Sequence, residues 1–287
     1  MAEIFSFTPC RCLVLAPWES LEASRAEGGR VSVNIGLDEA EARRGDDSVT
    51  LECCGVSAKV PLEVLRRHSS RRSALAVSDD GYYEVELRLP SSYYKLVPLP
   101  GTAPTLEING IHMHRVKDVK PIEDSALKVR LAGVKRGDRV LEVGTGLGYT
   151  AIESARRGAR VTTVEASEAV LWVAERNPWS RGLADSNIAI VLGDACEALK
   201  EMTGAFDVVI HDPPRLTQGT GCLYSRDFYR ELHRLLRPGG RIFHYTGEPG
   251  RTRGRSLGPR VVGELRAVGF VGLRYVDKAM GVVGVRP

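Results

Sequence analysis

The 287-residue sequence predicts an α/β chain. It would hold a seven-stranded, mostly parallel sheet wound on both faces by helices, with an antiparallel last strand, preceded by a β-rich N-terminal domain. Three observations carry this. From Lys120 onward, runs rich in Val, Ile and Leu alternate with helical stretches of about 10–15 residues, the pattern of strands buried on both faces. The last two strand-like runs are joined by Asp277-Lys-Ala, too short a link for a parallel crossover, so the final strand runs antiparallel. Before residue 115 the texture is different: short β-rich pieces broken by Gly-Gly, Asp-Asp and Pro-containing turns. The expected domains are 1–115, of unassigned role, and 116–287.

In the first part, Arg11 to Ala16, Arg30 to Ile35, Ser48 to Cys53, Tyr82 to Leu89 and Thr105 to Ile108 read as strands, and Pro61 to His68 as a helix opened by proline. Three prolines and a glycine in Leu96 to Pro104 predict an irregular linker. In the second part the strands are Arg139 to Val143, Arg160 to Glu165, Ile188 to Leu192, Phe206 to His211, Arg241 to Tyr245, Val271 to Val276 and Gly281 to Val285. The intervening helices are Tyr149 to Arg157, Ser167 to Trp179, Ala195 to Met202, Ser225 to Leu236 and Leu257 to Val268. Trp172 and Trp179 fall on one of them and read as packing residues.

Apolar residues at 43% and charged residues at 26% match a globular chain and exclude collagenous or disordered ones. No apolar run approaches the roughly 20 residues of a membrane span, and the start lacks a signal-peptide pattern. The expectation is therefore a cytoplasmic protein without a membrane partner. Six cysteines without a CxxC knuckle read as reduced thiols. Through Arg115 there are 13 basic and 16 acidic residues, and beyond it 27 and 20, so the net of +4 conceals a basic second half.

The first strand of the second part ends Val140-Leu-Glu-Val-Gly-Thr-Gly-Leu-Gly148 and runs directly into a helix. Glycines there allow a tight turn and close approach of a ligand to the helix N-terminus. A nicotinamide-type GxGxxG would need glycine where Tyr149 stands. The second strand ends at Glu165, at the offset of a carboxylate that takes both ribose hydroxyls. The third is followed by Gly193-Asp194 and the fourth by Asp212-Pro-Pro-Arg215. All four features fall at carboxyl ends of parallel strands, where open α/β sheets bind ligands.

Glu-Val-Gly-Thr-Gly-Leu-Gly, Glu165, Gly-Asp194 and the Arg237-Pro-Gly-Gly turn resemble the motif series of the Rossmann-like class I S-adenosylmethionine-dependent methyltransferases, over roughly residues 120 to 287. With Glu-Ile-Asn-Gly-Ile-His-Met-His and Lys-Asp-Val-Lys-Pro-Ile-Glu-Asp, the whole chain looks like an archaeal family of predicted methyltransferases carrying an extra N-terminal domain. The resemblance implies S-adenosylmethionine as cofactor. It would be held by Glu142, Gly144, Thr145, Gly146 and Gly148 around its methionine part, Glu165 and Ala166 at the ribose, and Gly193, Asp194 and Ala195 at the adenine.

Asp-Pro-Pro followed by an aromatic is the catalytic loop of amino-N-methyltransferases, which makes Asp212, Pro213 and Arg215 the catalytic candidates, with Arg215 in the aromatic's place. A guanidinium can also stack on a base or pair with a phosphate. The segment from Asp212 through Leu223-Tyr-Ser-Arg-Asp-Phe-Tyr229 to Gly240 is also similar to polyamine aminopropyltransferases, but their second aspartate has no counterpart in Pro-Pro-Arg-Leu. Arg251, Arg253 and Arg255 lie in a Gly-rich basic loop after the fifth strand, suited to phosphates. His112 and His114 share one face of an extended segment, where they could act as ligands or acid/base groups but read as polar junction residues; with no further His or Cys at ligand spacing, His211 included, no metal site is expected. The reading is a methyltransferase acting on an amino nitrogen of RNA, tRNA or rRNA. An aminopropyltransferase and a non-catalytic adenosyl-ligand or RNA-binding module are the alternatives.

Overall fold

A computed structural model describes residues 2–247 and 257–287. The chain divides into two compact units, one of Met1–Ser6, Glu123–Glu168 and Asp185–Pro287, the other of Phe7–Ile122 and Ala169–Ala184. This division differs from the boundary expected at residue 115. Met1–Ser6 belong with the C-terminal half of the chain, and Ala169–Ala184 with the N-terminal half.

The large unit holds an eight-stranded sheet, ordered Glu3–Phe5, Ile188–Leu192, Arg160–Glu165, Arg139–Val143, Phe206–His211, Leu236–Tyr245, Gly281–Val285, Val271–Val276. The central pairs are parallel, and Gly281–Val285 runs antiparallel to both its neighbours. Seven strands are those expected. The eighth, Glu3–Phe5, adds antiparallel to the edge strand Ile188–Leu192, and its exposed-exposed-half-buried pattern shows why three residues gave no strand signal. The order reverses at Arg139–Val143, flanked by Arg160–Glu165 and Phe206–His211, and the crevice at such a reversal is where ligands bind. Buried Leu141, Val143, Val209, Phe243 and Ile242 form the sheet's spine, consistent with strands covered on both faces.

Helix Pro121–Ala132, absent from the sequence reading, begins with proline and carries Glu123 and Asp124 in its first turn, a start signal that was legible. The expected Ser167 to Trp179 helix stops at Glu175, and Trp179 lies on a separate 3-10 turn, Pro178–Ala184. Proline at 178 disfavours helical geometry in the residue before it. Both tryptophans pack within their unit: Trp172 meets the Tyr83 ring at 6.3 Å and the Arg176 guanidinium at 3.9 Å, and the Trp179 indole donates to the Ile35 carbonyl at 3.1 Å.

The smaller unit is built from antiparallel sheets: a four-stranded meander Gly28–Val33, Asp38–Arg44, Ser48–Cys53, Val56–Pro61, with a three-stranded and another four-stranded sheet. The expected linker from Leu96 to Pro104 is instead a hairpin of Tyr93–Leu99 and Thr102–Ile108. Its register shifts between Val97 and Leu99, so Pro98 and Pro104 fall at an irregularity where neither must supply a ladder N–H. Asn109 and Gly110, at φ 51° and 79°, turn the chain into Ile111–His112, the Asn-Gly hairpin chemistry that the sequence carried openly.

Contrary to the expectation of reduced thiols, Cys10 is bonded to Cys12 and Cys196 to Cys222. Spacing hid both, since one pair is separated by a single residue and the other by a fold-dependent contact. Among the described residues no helix is long and apolar enough to cross a membrane.

Candidate active site

Four loops meet at the carboxyl ends of adjacent strands, and main-chain bonds tie them together. Gly144 N–H donates to the Val164 carbonyl at 3.0 Å, Gly193 N–H to the Glu165 carbonyl at 2.8 Å, and Asp212 N–H to the Val143 carbonyl at 3.0 Å. Gly144, Gly146 and Gly148 take φ of 95°, 56° and 76°, left-handed conformations that favour glycine. The ideal Cβ position on Gly146 has no atom within 4 Å, so the loop faces open space.

The Glu165 carboxylate accepts from Gly146 N–H and Ser167 N–H, each at 3.0 Å. Burial raises its pKa, against the lowering effect of these donors and of Ala166. Thr145 and Thr163 hydroxyls are 2.8 Å apart beneath the loop. Asp194 caps the helix Ala195–Glu201, its Oδ1 accepting from Cys196 N–H at 2.8 Å, and Ala195 is buried against the core. Gly193 packs on Ala2, whose Cα would lie 3.1 Å from a side chain there, so the added edge strand borders this loop.

Glu142 is 1% exposed, and neither carboxylate oxygen has a hydrogen-bond partner among the described residues. Burial drives its pKa to about 8; the nearby Thr163 hydroxyl and Lys128 lower it, while Asp212 and Glu165 raise it further. A buried polar group without a partner is costly, and a cationic ligand would relieve this one.

Asp212 reaches Lys128, whose Nζ lies 2.6 Å from Asp212 Oδ2, 3.1 Å from Asp124 Oδ2 and 4.3 Å from the centre of the Tyr245 ring. Burial pulls the Lys128 pKa down, but the Asp212 and Asp124 carboxylates outweigh it and hold the group above its ordinary value. Sequence reasoning missed Lys128, Asp124 and Tyr245. The first two needed the unread helix, on which they stand one turn apart, and the third needed the sheet order.

Pro213 is buried and Arg215 exposed. The Arg215 carbonyl accepts from Thr220 Oγ1 at 2.7 Å and the Pro214 carbonyl from Tyr224 Oη at 2.8 Å, so the loop closes on itself. Arg251, Arg253 and Arg255 lie outside the described residues. His211 is fully buried, donates to the Leu223 carbonyl at 2.9 Å and packs 4.3 Å from the His244 ring. Burial lowers its pKa to about 4, partly offset by that bond, so it is a neutral packing residue. In the smaller unit, His112 lies 3.8 Å from Glu107, and His114 Nδ1 is 3.1 Å from Thr105 Oγ1.

Residues 140–240 match the family described as methyltransferase domain, and the chain is 41% identical over 273 residues to an uncharacterized protein of Methanocaldococcus jannaschii, covering 93% of each. The chain belongs to the class I S-adenosylmethionine-dependent methyltransferases. Within that group it is 39% identical over 88 residues to a predicted ribosomal RNA large subunit methyltransferase of M. jannaschii, covering 30% of this chain and 23% of that one. The fold is similar to spermidine synthase from Thermotoga maritima, at a TM-score of 0.54 and 18% identity over 70% of this chain and 71% of that one. The methyltransferase uses S-adenosylmethionine, and the residues present fit it: the unpartnered Glu142 oxygens suit a cationic group, and open space faces Gly146.

Proposed function

We propose that the enzyme transfers a methyl group from S-adenosylmethionine to an amino nitrogen carried by RNA. The observation that carries the amino-nitrogen reading is the place of Asp212: its N–H is bonded to the end of the first strand, and its carbonyl lies against Gly144. In this reading Gly144, Thr145, Gly146 and Gly148 form the cradle for the methionine part, with Glu142 beneath its positive charge. Glu165, with Ala166, meets the ribose, and Gly193, Asp194 and Ala195 border the adenine. The bound cofactor supplies an electrophilic methyl on a sulfonium. Asp212 accepts a hydrogen bond from the acceptor N–H and holds the nitrogen in line, and it favours the positive charge that grows there. Pro213 keeps the loop rigid, and Arg215 meets the carrier.

RNA as carrier is supported by the basic second half of the sequence and by the partial likeness to a predicted ribosomal RNA methyltransferase. Salt-titrated binding of bulk tRNA tests it. Arg251, Arg253 and Arg255, replaced together by alanine, should flatten the salt slope, since each released phosphate contact contributes to it. Absence of wild-type RNA binding at low salt would exclude the carrier and leave methyl transfer standing.

A second reading has its own observation. Glu142 lies near enough to Asp212 for each carboxylate to feel the other, a pairing the sequence did not bring together, which suits a cationic amine acceptor. Calorimetry with S-adenosylmethionine and its decarboxylated form distinguishes methyl from aminopropyl transfer.

A further inference from the structure

Lys128 has two carboxylates where one would neutralise it. Asp124, one helical turn earlier, already pairs with it: its side chain is 4% exposed and lies 3.1 Å from the Lys128 ammonium. The second carboxylate comes from a loop 84 residues away, and the Asp212 side chain is 23% exposed against 8% for Lys128. The ammonium occupies Asp212 Oδ2, while Oδ1 accepts no hydrogen bond from the described residues. The same ammonium lies on the face of the half-buried Tyr245 ring, a contact of cation–π type. One buried cation therefore fixes a carboxylate and an aromatic ring that come from the ends of the fourth and fifth strands.

We propose that Lys128 is a positioning residue for methyl transfer: its ammonium, anchored by Asp124, holds Asp212 by Oδ2 and leaves Oδ1 turned to the acceptor N–H, with the Tyr245 ring as the adjoining wall. This rests on the reading of Asp212 as the group that meets the acceptor amine. A carboxylate with both oxygens free would rotate, and misplacement by about 1 Å can cost roughly 100-fold in rate. Asp124 sets the height of the ammonium along the helix.

The test uses the full chain, tritiated S-adenosylmethionine, and two acceptors in parallel, bulk tRNA and a simple diamine. Lys128→Met should lower kcat by about 100-fold on whichever acceptor the wild type methylates, with cofactor Kd within about threefold. Lys128→Arg, which keeps the charge and has N–H donors for both carboxylates, should recover most of the loss, and Asp124→Asn should fall between. Because Lys128→Met strands two carboxylates, the double variant Lys128→Met, Asp124→Asn accompanies it and should show the same loss of kcat in a folded protein. Unchanged kcat, a parallel loss of cofactor affinity, or no recovery with arginine would overturn the assignment. A wild type active on the diamine and inert on tRNA would overturn the RNA carrier while the clamp is still read on the diamine. A folded, cofactor-binding wild type that methylates neither would overturn both.

Discussion

The Asp212 carbonyl oxygen lies 2.5 Å from where a side chain on Gly144 would begin. The glycine loop and the Asp212 loop thus touch through main chain, and the contact exists only because residue 144 has no side chain. Gly144→Ala meets both this clash and a φ of 95°. The strained backbone alone costs of order 1–3 kcal/mol, and the clash must displace one loop. The expected result is loss of cofactor binding and of turnover together, with a lower Tm, read by calorimetry and thermal melts.

Glu165 holds the glycine loop itself, because its two oxygens accept from Gly146 N–H and Ser167 N–H. Glu165→Ala should therefore weaken both the fold and cofactor binding. Glu165→Gln keeps the shape and loses the charge, so it should preserve Tm more closely. Charge-assisted hydrogen bonds contribute about 1.5–3 kcal/mol, so its cofactor Kd should rise roughly 10- to 100-fold. An unchanged Kd would remove Glu165 from the cofactor site.

Glu142, with its pKa raised to about 8, binds a proton in the folded state through the range in which an unfolded glutamate has lost it. Its contribution to stability is therefore greatest below the ordinary glutamate value and declines as pH rises toward 8. A cofactor carrying positive charge favours the carboxylate, so affinity should increase as pH rises toward 8, with proton release on binding below that pH. Calorimetry in two buffers of different ionisation enthalpy measures the release. Glu142→Gln should abolish it.

Asp212→Asn should separate binding from chemistry. The amide keeps the loop geometry, so cofactor Kd should change by no more than a few fold while turnover falls by about 100-fold or more. Loss of both together would place Asp212 in the cofactor pocket.

The Cys196–Cys222 bond joins the helix that Asp194 caps to the turn Gly221–Tyr224, across a separation of 26 residues. On the chain-entropy account a loop of this length stabilises by roughly 3.5 kcal/mol. Cys222→Ser should lower the urea midpoint, and a reductant should lower the midpoint of the wild type by more than that of the variant, which keeps only the Cys10–Cys12 bond. Equal midpoints for oxidised wild type and variant would show that the bond contributes nothing to the fold.

The sequence alone determined the sheet, the order of its motifs and the cofactor class. Strands such as Arg139–Val143 and Phe206–His211 are buried on both faces and so read as continuous apolar runs, and the glycines at 144, 146 and 148 announce a turn that other residues cannot make. Pro98 and Pro104 misled because a β-bulge, not a linker, absorbs prolines in that hairpin. Only the tertiary structure decided which groups surround Asp212. Lys128 lies 84 residues before it, and Tyr245 comes from a strand paired with it in space. The partnership depends on the parallel register that aligns strand ends, and the reach of a buried ammonium leaves no mark in local spacing. The same holds for the eighth strand, whose three residues carry too few side chains for a period to show and acquire their conformation from the edge they join.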